Sequence, residues 1–439
     1  MNQITLALKN LNKTFLILGV SCFSLLGYSQ NLTNSENETY IPSEPGCIYR
    51  VGELKGRVSI PRSQKIIDRM SRVRSEPPCA SISVNYTSFT TEAQTAFQFA
   101  VDIWAASIES SQVIRVDASF IPLSENTLGQ AGTTSVTTLN PNTVPGALPN
   151  VFYPIALAEK LLDSNINNLE PEIVAEFNSD FEDWYYGLDA NPPANQIDFV
   201  SVVLHELAHG IGFIGISEVS DLNGSIRLFG DPPKPTIYST FIENGSGIEI
   251  LSFDDPSTDL KNELEGNDLF CNSATATEQL GNILPKIWAP FPYESGSSYS
   301  HWDENVFASG DINSLMSPQI ARGEANHNPG PITLGFFKDM GWSLCEGSLT
   351  VEDFNIETTE VSPNPFTSSI TIKVANSLSD DYNLNLFDIN GRIVLSETKA
   401  VLNGTMTISN LDQLEDALYF VKITNVRSGV SITKKVIKK

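Results

Sequence analysis

The sequence predicts a mixed α+β unit followed by a small all-β sandwich, and three observations carry that reading. Between Ser81 and Phe120 a strand, a helix and a second strand follow one another. From Ile197 to Gly212 the chain reads as a buried helix holding two histidines, and beyond Val361 the pattern changes to short alternating strands separated by turns. At 439 residues the chain exceeds one ordinary domain. With 27 Lys+Arg against 52 Asp+Glu the net charge is −25, which argues against nucleic acid or anionic lipid as the main partner.

The chain opens on a predicted export signal over residues 1–30. Lys9 and Lys13 precede an apolar run from Phe15 to Leu26, and Gly27, Ser29 and Gln30 follow, placing cleavage near Ser29 or Gln30. The run is too short for a membrane span, and no later stretch reaches that length without charges or breakers. Cys22 lacks the large aliphatic residue that a lipoprotein acceptor would have at position 19. Residues 31–78 are polar, with Pro, Gly and a basic stretch from Arg69 to Arg74, and read as a linker or short pro-segment in which Cys47 is a candidate metal cap.

Residues 79–345 are the main domain. Ile82, Val84 and Tyr86 alternate with polar neighbours as in a half-buried strand. Thr90 or Thr91 can cap a helix whose stripe is Ala93, Ala96, Phe97, Ala100, Ile103, Trp104 and Ile108. Ile114, Val116, Ala118 and Phe120 share a face of the next strand. Residues 122–150, rich in Thr, Asn, Gly and Pro, read as loop with at most weak strands. Ile155 to Leu162 reads as helix and Ile173 to Asn178 as strand, and the Trp184–Gly187 cluster is either groove lining or core. A long insertion spans 216–298, and a helix from Ile332 to Met340 closes the domain. Cys47, Cys79, Cys271 and Cys345 permit three pairings in an exported chain; Cys47–Cys79 with Cys271–Cys345 is the simplest sequential one.

The helix reads H-E-x-x-H. His205 and His209 stand four residues apart, so their imidazoles share one face and can hold one metal ion. Glu206 sits beside them, placed for a metal-bound water rather than the metal itself. Val200, Val203, Leu204, Leu207 and Ile211 fill the buried face. Two histidines merely decorating a core helix is the alternative, and the intervening Glu and the closing Gly weigh against it. A catalytic zinc ion (Zn2+) takes three protein ligands and keeps a position for water. His301 is favoured for the third place because it precedes Met316 in a turn-like Leu315-Met316-Ser317-Pro318 stretch; His327 and Glu304 are the alternatives.

The helix motif ending in Gly212, the later histidine and the turn with Met316 together resemble the metzincin clan of zinc metalloendopeptidases. The usual third histidine would stand at position 215, where this chain has Gly215. Leishmanolysin-like members depart in the same way, with an insertion before that histidine, and His301 fits their pattern. The resemblance covers residues 79–345. It implies a metzincin-like protease domain in which His205, His209 and His301 hold Zn2+, Glu206 is the general base that returns a proton to the leaving amine, and Met316 is an apolar floor. Tyr299 has no assigned role.

After a linker at 346–360, residues 361–439 alternate as strands: Ile370, Ile372 and Val374; Leu384, Leu386 and Phe387; Leu418 to Ile423; Val430 to Ile437, with a hairpin turn at Asn390-Gly391. This region resembles the C-terminal sorting domains of type IX secretion substrates, in its P-N-P opening at Pro363–Pro365, its Asp388–Arg392 segment and its Lys-rich end. The resemblance implies secretion or attachment to the bacterial outer surface, with the secretion machinery as partner. A carbohydrate-binding or adhesive sandwich is the alternative. The expectation for the whole is a secreted zinc metalloendopeptidase with a protein or peptide substrate; its rival is a non-enzymatic exported adhesin with a structural metal.

Overall fold

The computed structural model describes residues 37–41, 47–52, 56–72, 78–124, 127–345, 360–373, 381–389, 391–401, 405–426 and 431–439. The expected signal at 1–30 with Cys22, the linker up to residue 359, Val374, Asn390 and the side chain of Cys47 lie outside that description.

The first unit is a six-stranded mixed sheet backed by helices. Its strands are β1 (Cys47–Val51), β2 (Ile82–Thr87), β3 (Ile114–Ile121), β4 (Thr127–Thr133), β5 (Ile173–Asn178) and β6 (Gln319–Ile320), in the spatial order β6-β1-β4-β5-β3-β2. The β2–β3 and β3–β5 pairs are parallel, β4 runs antiparallel to both β5 and β1, and β6 is parallel to β1. A first helix, α1 (Gln64–Arg72), precedes the sheet's crossover, which parallel neighbours need and which α2 (Thr91–Ala105) supplies between β2 and β3. Its N-cap is Thr90, whose side chain accepts from the Ala93 amide. The expected β3 face is buried as read: Ile114, Val116, Ala118 and Phe120. A helix at Ile155–Leu162 and a strand at Ile173–Asn178 also stand where the pattern placed them.

Residues 122–150 depart from the loop expected of them. β4 lies inside the sheet, and Val136–Thr138 forms a further short strand. The sequence Thr-Leu-Gly-Gln-Ala-Gly-Thr has weak strand propensity, and its value here is small size. A Cβ on Gly129 would stand 3.2 Å from Cγ of Glu206, so the glycine lets the sheet meet the next helix closely.

That helix is α3 (Phe199–Ile211), buried throughout, with Ser201, His205, Glu206 and His209 as its polar residues. Asp198 caps it by accepting from the Ser201 amide and hydroxyl at 2.8 and 2.7 Å. Gly212 ends it at φ 134, a value that favours glycine, with its N–H directed to the carbonyls of Ala208 and His209. Indole N–H groups brace it: Trp104 donates to the Leu204 carbonyl at 3.0 Å and Trp342 to that of Ile211 at 3.2 Å. The closing helix, α4 (Pro331–Met340), begins with Pro at its first position after Gly330.

The cysteine pairing differs from the sequential guess. Cys79 is joined to Cys345, with Cα atoms 5.7 Å apart, and Cys271 is a buried free thiol. The bond ties the entrance of β2 to the exit of α4, which sequence spacing alone cannot reveal. Trp184 belongs to the core, its ring edge-on to Phe199 at 4.9 Å.

Residues 360–439 form a second unit with its own core. Three strands, β7 (Glu360–Ser362), β8 (Ile370–Lys373) and β11 (Thr405–Ile408), make one antiparallel sheet. Four others, β9 (Asp381–Phe387), β10 (Ile393–Ala400), β12 (Leu418–Asn425) and β13 (Ser431–Ile437), make the second in the order β10-β9-β12-β13. Ile370, Ile372, Leu384, Leu386, Val421 and Ile423 alternate inward. The β9–β10 turn is held by the Gly391 amide donating to the Asp388 carbonyl and by Arg392 on the Asp388 carboxylate.

Candidate metal centre

The helix face carrying His205 and His209 meets His301 from the far end of the insertion. Nε2 of His205 lies 3.0 Å from that of His209 and 3.2 Å from that of His301. Each ring's other nitrogen faces a backbone carbonyl: Nδ1 of His205 meets Leu315 at 2.7 Å, that of His209 meets Phe213 at 2.5 Å, and that of His301 meets Ser297 at 2.7 Å. A carbonyl can only accept, so each Nδ1 carries the proton and each Nε2 presents its lone pair. Three lone pairs aimed at one point suit a cation. Zinc with bonds of 2.0–2.1 Å would set tetrahedral nitrogens about 3.3 Å apart, close to the spacing found. The carbonyls supply the outer hydrogen bonds that fix ring orientation in such sites.

All three histidines are 0% exposed. Burial, with repulsion from the neighbouring imidazoles, holds His205 and His209 well below the usual histidine range. His301 is lowered to about 4, mainly by burial, with the Ser297 carbonyl pulling the other way. Neutral imidazoles are the form that binds a metal.

Glu206 is equally buried, and neither carboxylate oxygen has an aligned hydrogen-bond partner. Desolvation raises its pKa well above the carboxylate range, opposed by the nearby backbone amides of Ala131 and Tyr49. Buried carboxylates without aligned partners are uncommon, and this one stands on the same helix as two of the histidines.

Gly215 explains how His301 reaches the site. A Cβ at position 215 would stand 2.1 Å from the Tyr299 carbonyl oxygen, and the Gly215 amide donates to Ser300 Oγ at 2.8 Å. The loop that delivers His301 therefore runs through the space a side chain at 215 would need. Tyr299 is wholly buried at φ 68, packed on the Tyr238 ring rather than turned to the histidines. Met316 is buried at the end of the short 3-10 turn Ser314–Met316, whose Leu315 carbonyl orients His205.

The other sequence candidates lie elsewhere. Nε2 of His327 donates to the Asp198 carboxylate at 2.8 Å, seven residues and roughly 10 Å along α3 from His205. Among the described residues, one group has metal-ligand geometry, and it is His205, His209 and His301, without Glu304.

Tyr49 was missed. Its ring lies flat on the His205 imidazole, centroids 3.6 Å apart and planes 7° from parallel. The available signal was the alternating Cys47-Ile48-Tyr49-Arg50-Val51 pentad, too short to stand out in a polar stretch.

Residues 360–439 match the family described as secretion system C-terminal sorting domain, and residues 150–248 match one described as SPBPB7E8-like. No curated protein matches the chain. Among solved structures, a DUF3244 family protein with an immunoglobulin-like β-sandwich from Bacteroides vulgatus is 22% identical over 18% of this chain and 96% of its own, with a TM-score of 0.15. PorZ, a surface component of the type-IX secretion system of Porphyromonas gingivalis, is 14% identical over 23% of this chain and 14% of its own, with a TM-score of 0.17. The fn3 domain of human contactin 1 is 19% identical over 18% of this chain and 75% of its own, with a TM-score of 0.15. Among the described residues no helix is long and apolar enough to cross a membrane. The chain thus carries a type IX secretion sorting domain at residues 360–439, through which it engages that machinery and reaches the cell surface or the space beyond.

Proposed function

We propose that residues 79–345 are a metzincin-like, zinc-dependent endopeptidase domain that hydrolyses peptide bonds outside the cell. One observation carries the reading: three carbonyl-anchored imidazoles converge through Nε2 beside a buried carboxylate with no aligned partner. Zinc, when bound there, supplies Lewis acidity that polarises a carbonyl and makes water acidic. The protein's own part is to hold His205, His209 and His301 neutral and aimed, and to keep Glu206 in surroundings that raise its proton affinity. A base poised in this way can accept a proton from water and return it to a departing amine. The Ser314–Met316 turn orients His205 through the Leu315 carbonyl, and the buried Met316 would supply the apolar floor.

A structural zinc in an exported adhesin would be closed by four protein ligands. Among the described residues three converge, which favours the enzyme. In the test, Glu206→Ala is expected to keep stoichiometric zinc and lose casein or gelatin cleavage by about 10²- to 10⁴-fold. Undiminished cleavage in that variant, or a zinc-saturated parent with none, would sink the proposal.

A further inference from the structure

Ten non-glycine residues among those described hold positive φ, and Tyr299, at φ 68, is the one aromatic in that set. The left-handed region crowds Cβ, so a bulky residue stays there only where its surroundings leave it no alternative. Tyr299 is wholly buried and lies just ahead of His301 in the chain. Its N–H donates to the Trp288 carbonyl at 2.7 Å, and the Trp288 N–H donates to the His301 carbonyl at 2.8 Å. Tyr299, Ser300 and His301 therefore stand against Trp288 alone, a bulge beside the antiparallel bridge of Ile287 with Trp302. Side chains alternate faces along a strand, so the extra residues decide which way His301 points. The bulge is clamped from two sides. The Tyr299 ring meets the Tyr238 ring at 5.6 Å between centroids, and its Cδ1 lies 2.8 Å from the point a Cβ on Gly215 would take. On the other side, the Ser297 and Ser298 amides donate to the Glu294 carbonyl at 3.0 and 2.8 Å, and the Trp288 indole donates to the Glu294 carboxylate at 3.3 Å. Trp288 thereby grips both the start of this loop and the bulge that ends it.

We infer that Tyr299 is a positioning residue of the metal centre: the left-handed turn of its backbone, held by its own buried ring, aims Nε2 of His301 at His205 and His209. This rests on the zinc site of the endopeptidase reading and adds the residue that sets its third ligand. Glycine would accept the same φ without crowding, but it would accept others equally well. The ring supplies what glycine lacks, a single backbone state. With the ring removed and a Cβ kept, ordinary negative φ is favoured, and the chain from Tyr299 to His301 relaxes towards regular pairing with Trp288. His301 then leaves the point at which the other two imidazoles aim, and its Nδ1 loses the Ser297 carbonyl that faces it at 2.7 Å.

The experiment is a double-mutant cycle in the full-length chain, stripped of metal and titrated with Zn2+ against a fluorescent chelator, with the visible absorption of bound Co2+ as a second readout of ligand geometry. Tyr299→Ala is expected to weaken zinc on the order of 10- to 100-fold and to move the Co2+ bands towards those of His301→Ala. Tyr299→Phe, which keeps the ring, should retain the parental affinity and spectrum. In the His301→Ala background, Tyr299→Ala should change affinity by less than about twofold, because the ligand it serves is already gone. Should Tyr299→Ala not fold, Tyr299→Leu, which keeps most of the buried volume, takes its place in the cycle. An equal loss in both backgrounds would make Tyr299 ordinary core packing and overturn the inference, as would a single variant that binds zinc like the parent. Either result leaves the endopeptidase standing. A coupled loss of zinc affinity in a chain whose zinc-loaded parent cleaves no peptide would overturn the endopeptidase and leave Tyr299 in its positioning role.

Discussion

His205, His209 and His301 hold their geometry through groups that sequence patterns do not display, namely the carbonyls of Leu315, Phe213 and Ser297. Gly215 is the residue on which the third ligand turns. Gly215→Ala would drive a methyl group into the Tyr299 carbonyl and displace the loop ahead of His301. The expected result is a 10- to 100-fold weaker zinc affinity, on the order found when outer support of a ligand is lost, read by competition with a fluorescent chelator. Protonation gives a second expectation. In metal-free protein, His301 resists protonation down to about 4 against an ordinary 6.5. Between those values the unfolded chain binds the proton and the fold does not. The stability from this group is therefore fully present above about pH 6.5 and lost as pH falls through 4, a span of roughly 3 kcal/mol. Urea midpoints of stripped protein at pH 7 and 4.5 should show it, and His301→Ala should reduce the difference without abolishing it, because His205 and His209 are also held below the histidine range.

At the scale of elements, α3 is positioned from both ends. Asp198 caps its start and also accepts from His327, while the loop after Gly212 turns the Phe213 carbonyl back onto His209. Asp198→Ala would remove the cap and leave His327 and the Ser201 hydroxyl without their partner. A loss of about 2–4 kcal/mol in denaturant unfolding is expected, with zinc still bound at one per chain under native conditions. Legibility varied with how local each signal is. The helix and the strand-helix-strand opening were readable because 3.6- and 2-residue periods survive any tertiary context. β4 was not, since Gly129 and Ala131 serve close approach to α3 rather than strand propensity. β1 was not, since its neighbours β4 and β6 are far away in sequence.

At the scale of the whole molecule, Cys79–Cys345 closes a loop of 266 residues, which the chain-entropy account values at about 5 kcal/mol. Cys345→Ser, or mild reduction, is expected to lower the melting temperature of the first unit by roughly 5–15 °C, and non-reducing peptide mapping should recover Cys79 joined to Cys345. Cys271 should stay unreactive while folded, because burial pushes its thiol up to about 12. The type IX sorting domain accounts for an oxidising destination where such a bond persists. By itself the sequence determined what local spacing can encode: two imidazoles one helical turn apart with a carboxylate between them, an α+β unit, and an alternating tail with sorting-domain features. The tertiary structure alone decided that His301 and not His327 joins them, which cysteines pair, and that Tyr49 lies over the site. Those are meetings between residues tens to hundreds of positions apart, and one-dimensional periodicity carries no record of which distant segments share a surface.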